Sequence, residues 1–116
     1  MDYKELDVWV QARSLVKNVY VLTKDFPREE QYGLTSQIRQ CVVSVSSSIA
    51  EGCGRRTSKE TIHFLHISRG SLYELETQLF LANDLEYIIP DISVILNELE
   101  RVKKLINGFI NYQKRI

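Results

Sequence analysis

The residues of this 116-residue chain that could do chemistry are few, and most lie between Ser44 and His66. Glu60-Thr61-Ile62-His63 has the Glu-x-x-His spacing that places a carboxylate and an imidazole on one helical face. In dinuclear metal bundles two such motifs, with a glutamate from each of two further helices, hold the metal pair. His63 and His66 are the only histidines. One chain therefore cannot supply the second motif, and no metal is expected. Ser44, Ser46, Ser47 and Ser48 lie inside a helical pattern with neither a histidine nor a strand-turn-helix elbow beside them, so they read as small packing residues and not as nucleophiles. Cys53 stands between Gly52 and Gly54 and next to Arg55 and Arg56, neighbours that can lower a thiol pKa; an inert loop cysteine is the simpler expectation. The run Gly52 to Lys59 lacks the Gly-Lys-Ser/Thr ending of a phosphate loop, which removes nucleotide hydrolysis. No catalytic residue, cofactor or small-molecule substrate is assigned, and the chain is expected not to be an enzyme.

An anion site is easier to build. Arg55, Arg56 and Lys59 surround the amino terminus of a helix, where free N–H groups and the helix dipole favour negative charge. Together with Lys103 and Lys104 they are the candidate nucleic-acid contacts. The 15 basic and 15 acidic residues balance, so no global field steers the chain to RNA, DNA or an anionic membrane. The charge is mildly segregated: residues 32–60 hold four basic and two acidic residues, 91–116 five and three, 61–90 one and four, and 1–31 five and six. Glu51, Glu74 and Glu76 sit beside apolar helical positions and are expected to take Arg39 or Arg69 as partners in a salt-bridged network.

The elements that position these residues are helices. Val8, Ala12, Leu15, Val19, Leu22 and Phe26 recur in steps of three and four, which predicts a helix over about 7–25, stopped by Pro27. Leu34, Ile38, Val42, Val45 and Ile49 predict a second over 34–52, closed by Gly52 and Gly54 in left-handed geometry. Thr57 and Glu60 form a capping box for a third over 58–86, with Phe64, Leu65, Leu72, Leu75, Leu79 and Ala82 inward. Asp91 caps a fourth over 91–114, whose stripe runs from Ile92 through Ile95, Leu96, Leu99, Val102, Ile106 and Phe109 to Ile110. With two prolines and short connections, the expected fold is all-α, a single antiparallel up-down-up-down four-helix bundle over residues 1–116.

Two helices carry apolar residues beyond one face. Trp9, Val16 and Tyr20 on the first, and Ile62, Tyr73 and Phe80 on the third, are more than a monomeric bundle needs, and they mark a candidate oligomer interface. A wide face wrapping a crowded core is the other explanation. The charged start, Met1-Asp2-Tyr3-Lys4-Glu5, has no apolar run behind it, and nothing approaches a membrane span; a cytoplasmic protein with reduced Cys41 and Cys53 is expected.

Several strings look familiar together. Leu6-Asp7-Val8-Trp9, Tyr32-Gly33-Leu34-Thr35-Ser36-Gln37-Ile38-Arg39, Ser47-Ser48-Ile49-Ala50-Glu51-Gly52 and Gly70-Ser71-Leu72-Tyr73-Glu74-Leu75-Glu76-Thr77-Gln78-Leu79 cover nearly the whole chain. They resemble the four-helix bundle family of proteins encoded within intervening sequences of bacterial 23S ribosomal RNA genes. The resemblance implies an up-down bundle assembled as a ring-shaped homopentamer, in a family with no established catalytic residues. A related branch, the accessory variability proteins of diversity-generating retroelements, binds nucleic acid and a reverse transcriptase through a strongly basic surface, from which this neutral chain departs. Ser46 stands where the family commonly has proline and Ser48 where it has asparagine; without that proline the second helix is expected to run straight. Arg39, Glu51, Gly52, Gly54 and Arg55 match the family motif as candidates for structure or contact. The expected function is a non-enzymatic homo-oligomer contacting RNA, DNA or a ribonucleoprotein, and the alternative is a protein-binding scaffold; salt-sensitive binding separates them.

Overall fold

The computed structural model describes residues 2–116. Its four helices are α1 (Asp7–Thr23), α2 (Leu34–Cys53), α3 (Ser58–Asp84) and α4 (Ile92–Arg115). Each helix packs on its sequence neighbours, and α4 closes the ring against α1, so the bundle is antiparallel and its cross-section runs α1, α2, α3, α4. The inward stripes meet in one core, where Leu15, Val19, Ile38, Val45, Leu72, Leu75, Leu99 and Ile106 lose essentially all contact with solvent. Burying a side chain of this size contributes roughly 1.5–3 kcal/mol. Phe64 departs from the expected stripe: it is half-buried outside the core, beneath the guanidinium of Arg55 at 4.4 Å.

The helix ends explain where sequence and structure part. α1 stops at Thr23, two residues early, as Thr23 turns its hydroxyl back to the carbonyl of Val19 at 2.9 Å and Pro27 follows. Glu30, in a short 3-10 turn, accepts the first N–H of α2 from Leu34 at 3.2 Å. Gly33 makes room for it, since a Cβ there would lie 2.7 Å from the Glu30 carboxylate. Gly52 and Gly54 do not close α2 in left-handed geometry, because neither has positive φ. Gly54 ends the helix at φ −84°, ψ 0°, donating to the carbonyls of Ala50 and Glu51. α2 runs unbroken through Ser46, whose hydroxyl donates to Val43 O at 3.0 Å.

Gly52 has a different task. A Cβ there would sit 3.1 Å from Cβ of Phe64 and 3.2 Å from the Thr61 carbonyl. α2 and α3 meet along a seam of small residues: Thr61 Oγ1 donates to Gly52 O at 2.8 Å, Ser68 Oγ to Val45 O at 2.7 Å, and Cys41 Sγ to Ser71 O at 3.0 Å. Ser44 and Ser71 share a hydrogen bond at 3.1 Å in the same seam. Of the four serines expected to pack, Ser44 and the buried Ser48 do so, whereas Ser47 is exposed and Ser46 bonds within its own helix.

α3 also ends two residues early. Glu86, with φ 64°, is the only described non-glycine residue at positive φ; the N–H of Tyr87 then reaches back to Ala82 O at 2.9 Å. This is a Schellman-type stop with glutamate in the place glycine prefers. At the far side of the connection Asp91 caps α4, accepting from Ser93 N at 2.9 Å. That bond holds the Asp91 carboxyl below its ordinary value, so the stability it lends is present above the ordinary carboxylate pKa and lost as pH falls through the lowered one.

Two substitutions test this account by thermal unfolding. Glu86→Gly is expected to stabilise the fold by about 1 kcal/mol, the usual cost of a left-handed L-residue. Gly52→Ala is expected to destabilise it by about 1–3 kcal/mol, through overpacking at the seam.

Candidate functional site

One end of the bundle is acidic and the other holds charges of both signs. The α1–α2 and α3–α4 connections lie together, as the 3.0 Å bond from Tyr87 Oη to Glu30 and the 5.7 Å approach of Phe26 to Tyr87 require. That end carries Asp25, Glu29, Glu30, Asp84, Glu86 and Asp91 against Lys24 and Arg28. The α2–α3 turn, with Arg55, Arg56 and Lys59, is at the other end with the last turn of α4, Lys114 and Arg115, and with Asp2, Glu5, Asp7, Glu51 and Glu60.

At that turn Thr57 caps α3 as expected, its Oγ1 accepting from Glu60 N at 3.2 Å, but the Glu60 carboxylate accepts from Arg56 N at 3.4 Å, one residue before the N–H that a capping box uses. The Glu60 side chain thus turns to the helix start, while His63 meets Phe64 edge-on at 5.4 Å. Arg55, Arg56 and Lys59 are exposed, and none forms a salt bridge, those among the described residues involving Lys103 alone. Arg55, Lys59 and His63 line a shallow hollow over the turn. Burial and then the charges of Arg69 and Lys114 push the His66 pKa below its ordinary value.

Lys103 and Lys104 do not join this cluster. Lys103 contacts Glu100 at 3.1 Å and Glu76 at 3.8 Å and lies over the Tyr73 ring at 4.7 Å. Burial opposes its charge, but the two carboxylates outweigh that and hold its pKa above the ordinary lysine value. Glu76 is seventeen residues beyond Lys59 on α3, or about 25 Å at 1.5 Å per residue. The expected carboxylate network differs in the same way. Glu76 takes Lys103, Glu51 and Glu74 are exposed, and Arg69 donates to Asn107 at 2.8 Å and contacts His66 at 2.9 Å.

Arg39 is the residue whose situation the sequence did not disclose. It is half-buried between α1 and α2, its Nε donates to Thr23 Oγ1 at 2.9 Å, and its guanidinium lies over the Tyr20 ring at 4.6 Å. Its remaining donors have only a long 3.4 Å contact to Tyr20 O and no carboxylate. An open groove beside it is lined by Tyr20, Tyr32, Thr35 and Val43. Thr35 Oγ1 is buried there without a partner.

The six candidate interface residues divide. Trp9, Val16 and Ile62 pack partly onto the core, whereas Tyr20, Tyr73 and Phe80 remain 38%, 52% and 47% exposed. Trp9, Val16 and Tyr20 recur at helical spacing on the α1 edge next to α2, and Ile62, Tyr73 and Phe80 on the α3 edge next to α4. The cyclic order of the bundle makes these opposite flanks. The first carries Arg13, Lys17 and Arg39, and the second Glu76 and Glu100 together with Lys103 and Arg69.

Neither cysteine is poised for chemistry. Cys53 is the buried last residue of α2, and burial raises its thiol pKa. Burial, then the Glu74 charge, push Cys41 up to about 12. A thiol reagent at pH 7.5 is expected to leave both unmodified in the folded protein and to label both in denaturant, by mass spectrometry; fast labelling of native Cys53 would contradict this burial.

The sequence matches, over residues 4–108, the family described as 23S rRNA-intervening sequence protein. Among solved structures it is similar to a protein of unknown function from the S23 ribosomal protein family of Bacteroides thetaiotaomicron, with 23% identity, a TM-score of 0.82, and 90% of this chain and 95% of that one covered. At that identity the likeness bears on the fold. No curated protein matches.

Proposed function

Because this chain belongs to the family of 23S rRNA-intervening sequence proteins, we propose that it acts without catalysis, as a self-associating bundle that presents its α2–α3 turn to an RNA or DNA backbone. One observation carries the reading: the half-buried Arg39, with no carboxylate, lies beside the exposed Tyr20 on one flank, while the opposite flank exposes Tyr73 and Phe80 beside the carboxylates of Glu76 and Glu100. Arg39 and Tyr20 on the first flank suit Tyr73, Phe80 and the carboxylates of the second, which share Lys103 between them. Contact between two different patches is head-to-tail, which closes into a ring when the rotation allows. The homopentamer implied by the sequence resemblance is a ring of this type.

The assembly gives the cationic turn its use. One neutral chain with three free cations at a turn binds phosphate weakly. Copies standing side by side around an axis parallel to their helices bring every Arg55–Arg56–Lys59 turn to one rim, and linked weak sites gain avidity without any new interaction. The scaffold reading is favoured by the balanced net charge and by the neutralisation of Lys103.

Two measurements separate these readings. In anisotropy titrations with single-stranded and duplex RNA and DNA, affinity is expected to fall as salt rises, and Arg55→Ala with Arg56→Ala to flatten the logarithmic salt dependence by about 0.7–0.9 for each phosphate no longer neutralised. Lys103→Ala is expected to leave it unchanged. Binding indifferent to salt and to both arginines would leave the scaffold. In sedimentation equilibrium, Arg39→Ala is expected to weaken self-association about tenfold, the scale of one charge-assisted hydrogen bond, with helicity by circular dichroism unchanged.

A further inference from the structure

The groove between α1 and α4 belongs to neither flank used above. It encloses about 370 Å³ and has aliphatic walls, with Val21 and Leu22 from α1, Ile89 and Pro90 from the connection, and Val94 and Ile95 from α4. Val21, Ile89 and Val94 are 55%, 78% and 62% exposed, too much adjoining apolar surface to be explained by the core that the same helices already cover. Its polar lining is Asn18, Asp25, Asp91 and Glu98. Three of these four are carboxylates, no cation lines the groove, and none of the three carboxylates is in a salt bridge among the described residues.

The groove is also held in shape. Asn18 Nδ2 donates to both carboxylate oxygens of Glu98, at 2.8 and 2.9 Å, which ties α1 to α4 and fixes the carboxylate at the groove. That bond uses one amide nitrogen, so each oxygen keeps a lone pair for another donor. Asp91 is fixed as the cap of α4 by its bond from Ser93 N. A volume of this size lies at the small end of ligand pockets.

We propose that this groove binds a small organic cation: an aliphatic body of about six carbons with a primary ammonium or guanidinium head. The body replaces water over Val21, Leu22 and Val94, and the head donates to Glu98, Asp25 or Asp91. The walls contain no aromatic ring, so the groove lacks the π faces by which proteins hold quaternary ammonium groups. A head carrying N–H donors is selected over a methylated one, and an anion of the same length is excluded by three like charges. An assembly through the α1/α2 and α3/α4 flanks leaves this edge uncovered, so the site does not depend on self-association.

The test is a two-dimensional amide NMR titration of the full chain at low salt with hexylammonium, hexyltrimethylammonium, hexanol and hexanoate. Hexylammonium is expected to give saturable shifts at Asn18, Val21, Val94 and Glu98, and to bind about fivefold more tightly than hexanol, the upper range for one exposed ion pair. Hexyltrimethylammonium is expected to be weaker than hexylammonium, and hexanoate to give no saturable shift. Glu98→Gln, which can still accept from Asn18, and Asp25→Asn with Asp91→Asn, which keeps an N-cap, should each reduce hexylammonium affinity towards that of hexanol while leaving hexanol binding unchanged. Equal affinities for hexylammonium and hexanol, or shifts that map away from the groove, would overturn the proposal.

Discussion

The close seam between α2 and α3 is the constraint on which the rest of the bundle depends. Gly52, Ser48, Ser44 and Cys41 recur at helical spacing along one edge of α2, and Thr61, Ser68 and Ser71 answer them from α3. Small side chains let the two backbones approach, and their hydroxyls and thiol then reach carbonyls of the facing helix. Each such bond is worth only about 1 kcal/mol net. Buried polar atoms left without a partner cost more, so the set fixes register between the helices as well as contributing stability. With that pair fixed, α1 and α4 complete the bundle mainly through apolar packing, tied to each other by the Asn18–Glu98 pair.

The seam also decides what lies elsewhere. α2 has no aromatic residue, and Tyr73 and Phe80 of α3 lie away from the seam of small residues. Tyr73 lies beneath Lys103 of α4, and Arg39 of α2 covers Tyr20 of α1. Tyr20 on one side, and Tyr73 and Phe80 on the other, thereby fall on the α1/α2 and α3/α4 edges, on opposite sides of the molecule. The two edges differ in how their cations are used: Lys103 has carboxylates at 3.1 and 3.8 Å, and Arg39 has none. A half-buried guanidinium without a carboxylate is a poor end state for an isolated molecule and a good one for an interface that supplies the partner.

Much of the fold was legible in the sequence, because three-and-four spacing and caps are local properties. Thr57–Glu60 and Asp91 could be read directly, since a cap involves residues two or three apart. The misread ends came from geometry that no local pattern carries: Glu86 adopts a conformation that favours glycine, and Gly52 serves packing against Phe64 instead of helix closure. At the candidate site, the Arg55–Arg56–Lys59 cluster was visible because it is nearly contiguous. The pairing of Lys103 with Glu76 was not, since those residues are far apart in sequence and meet only when α3 and α4 pack. Arg39 stood out as part of a motif, but its missing partner is a fact about three-dimensional surroundings. The groove of Asn18, Asp91 and Glu98 draws on both ends of the chain and had no sequence signal.

Head-to-tail association between unlike flanks is the claim from which the assembly account follows, and mixing two half-disabled variants tests it most directly. Tyr20→Glu disables the α1/α2 flank and keeps the other; Phe80→Glu does the reverse. Measured by light scattering, each variant alone should remain at the 13.5 kDa monomer mass, and an equimolar mixture should reach twice that mass and stop, because one intact pair of flanks remains and cannot propagate. A mixture that stays monomeric, or either variant assembling alone as the wild type does, would contradict the account.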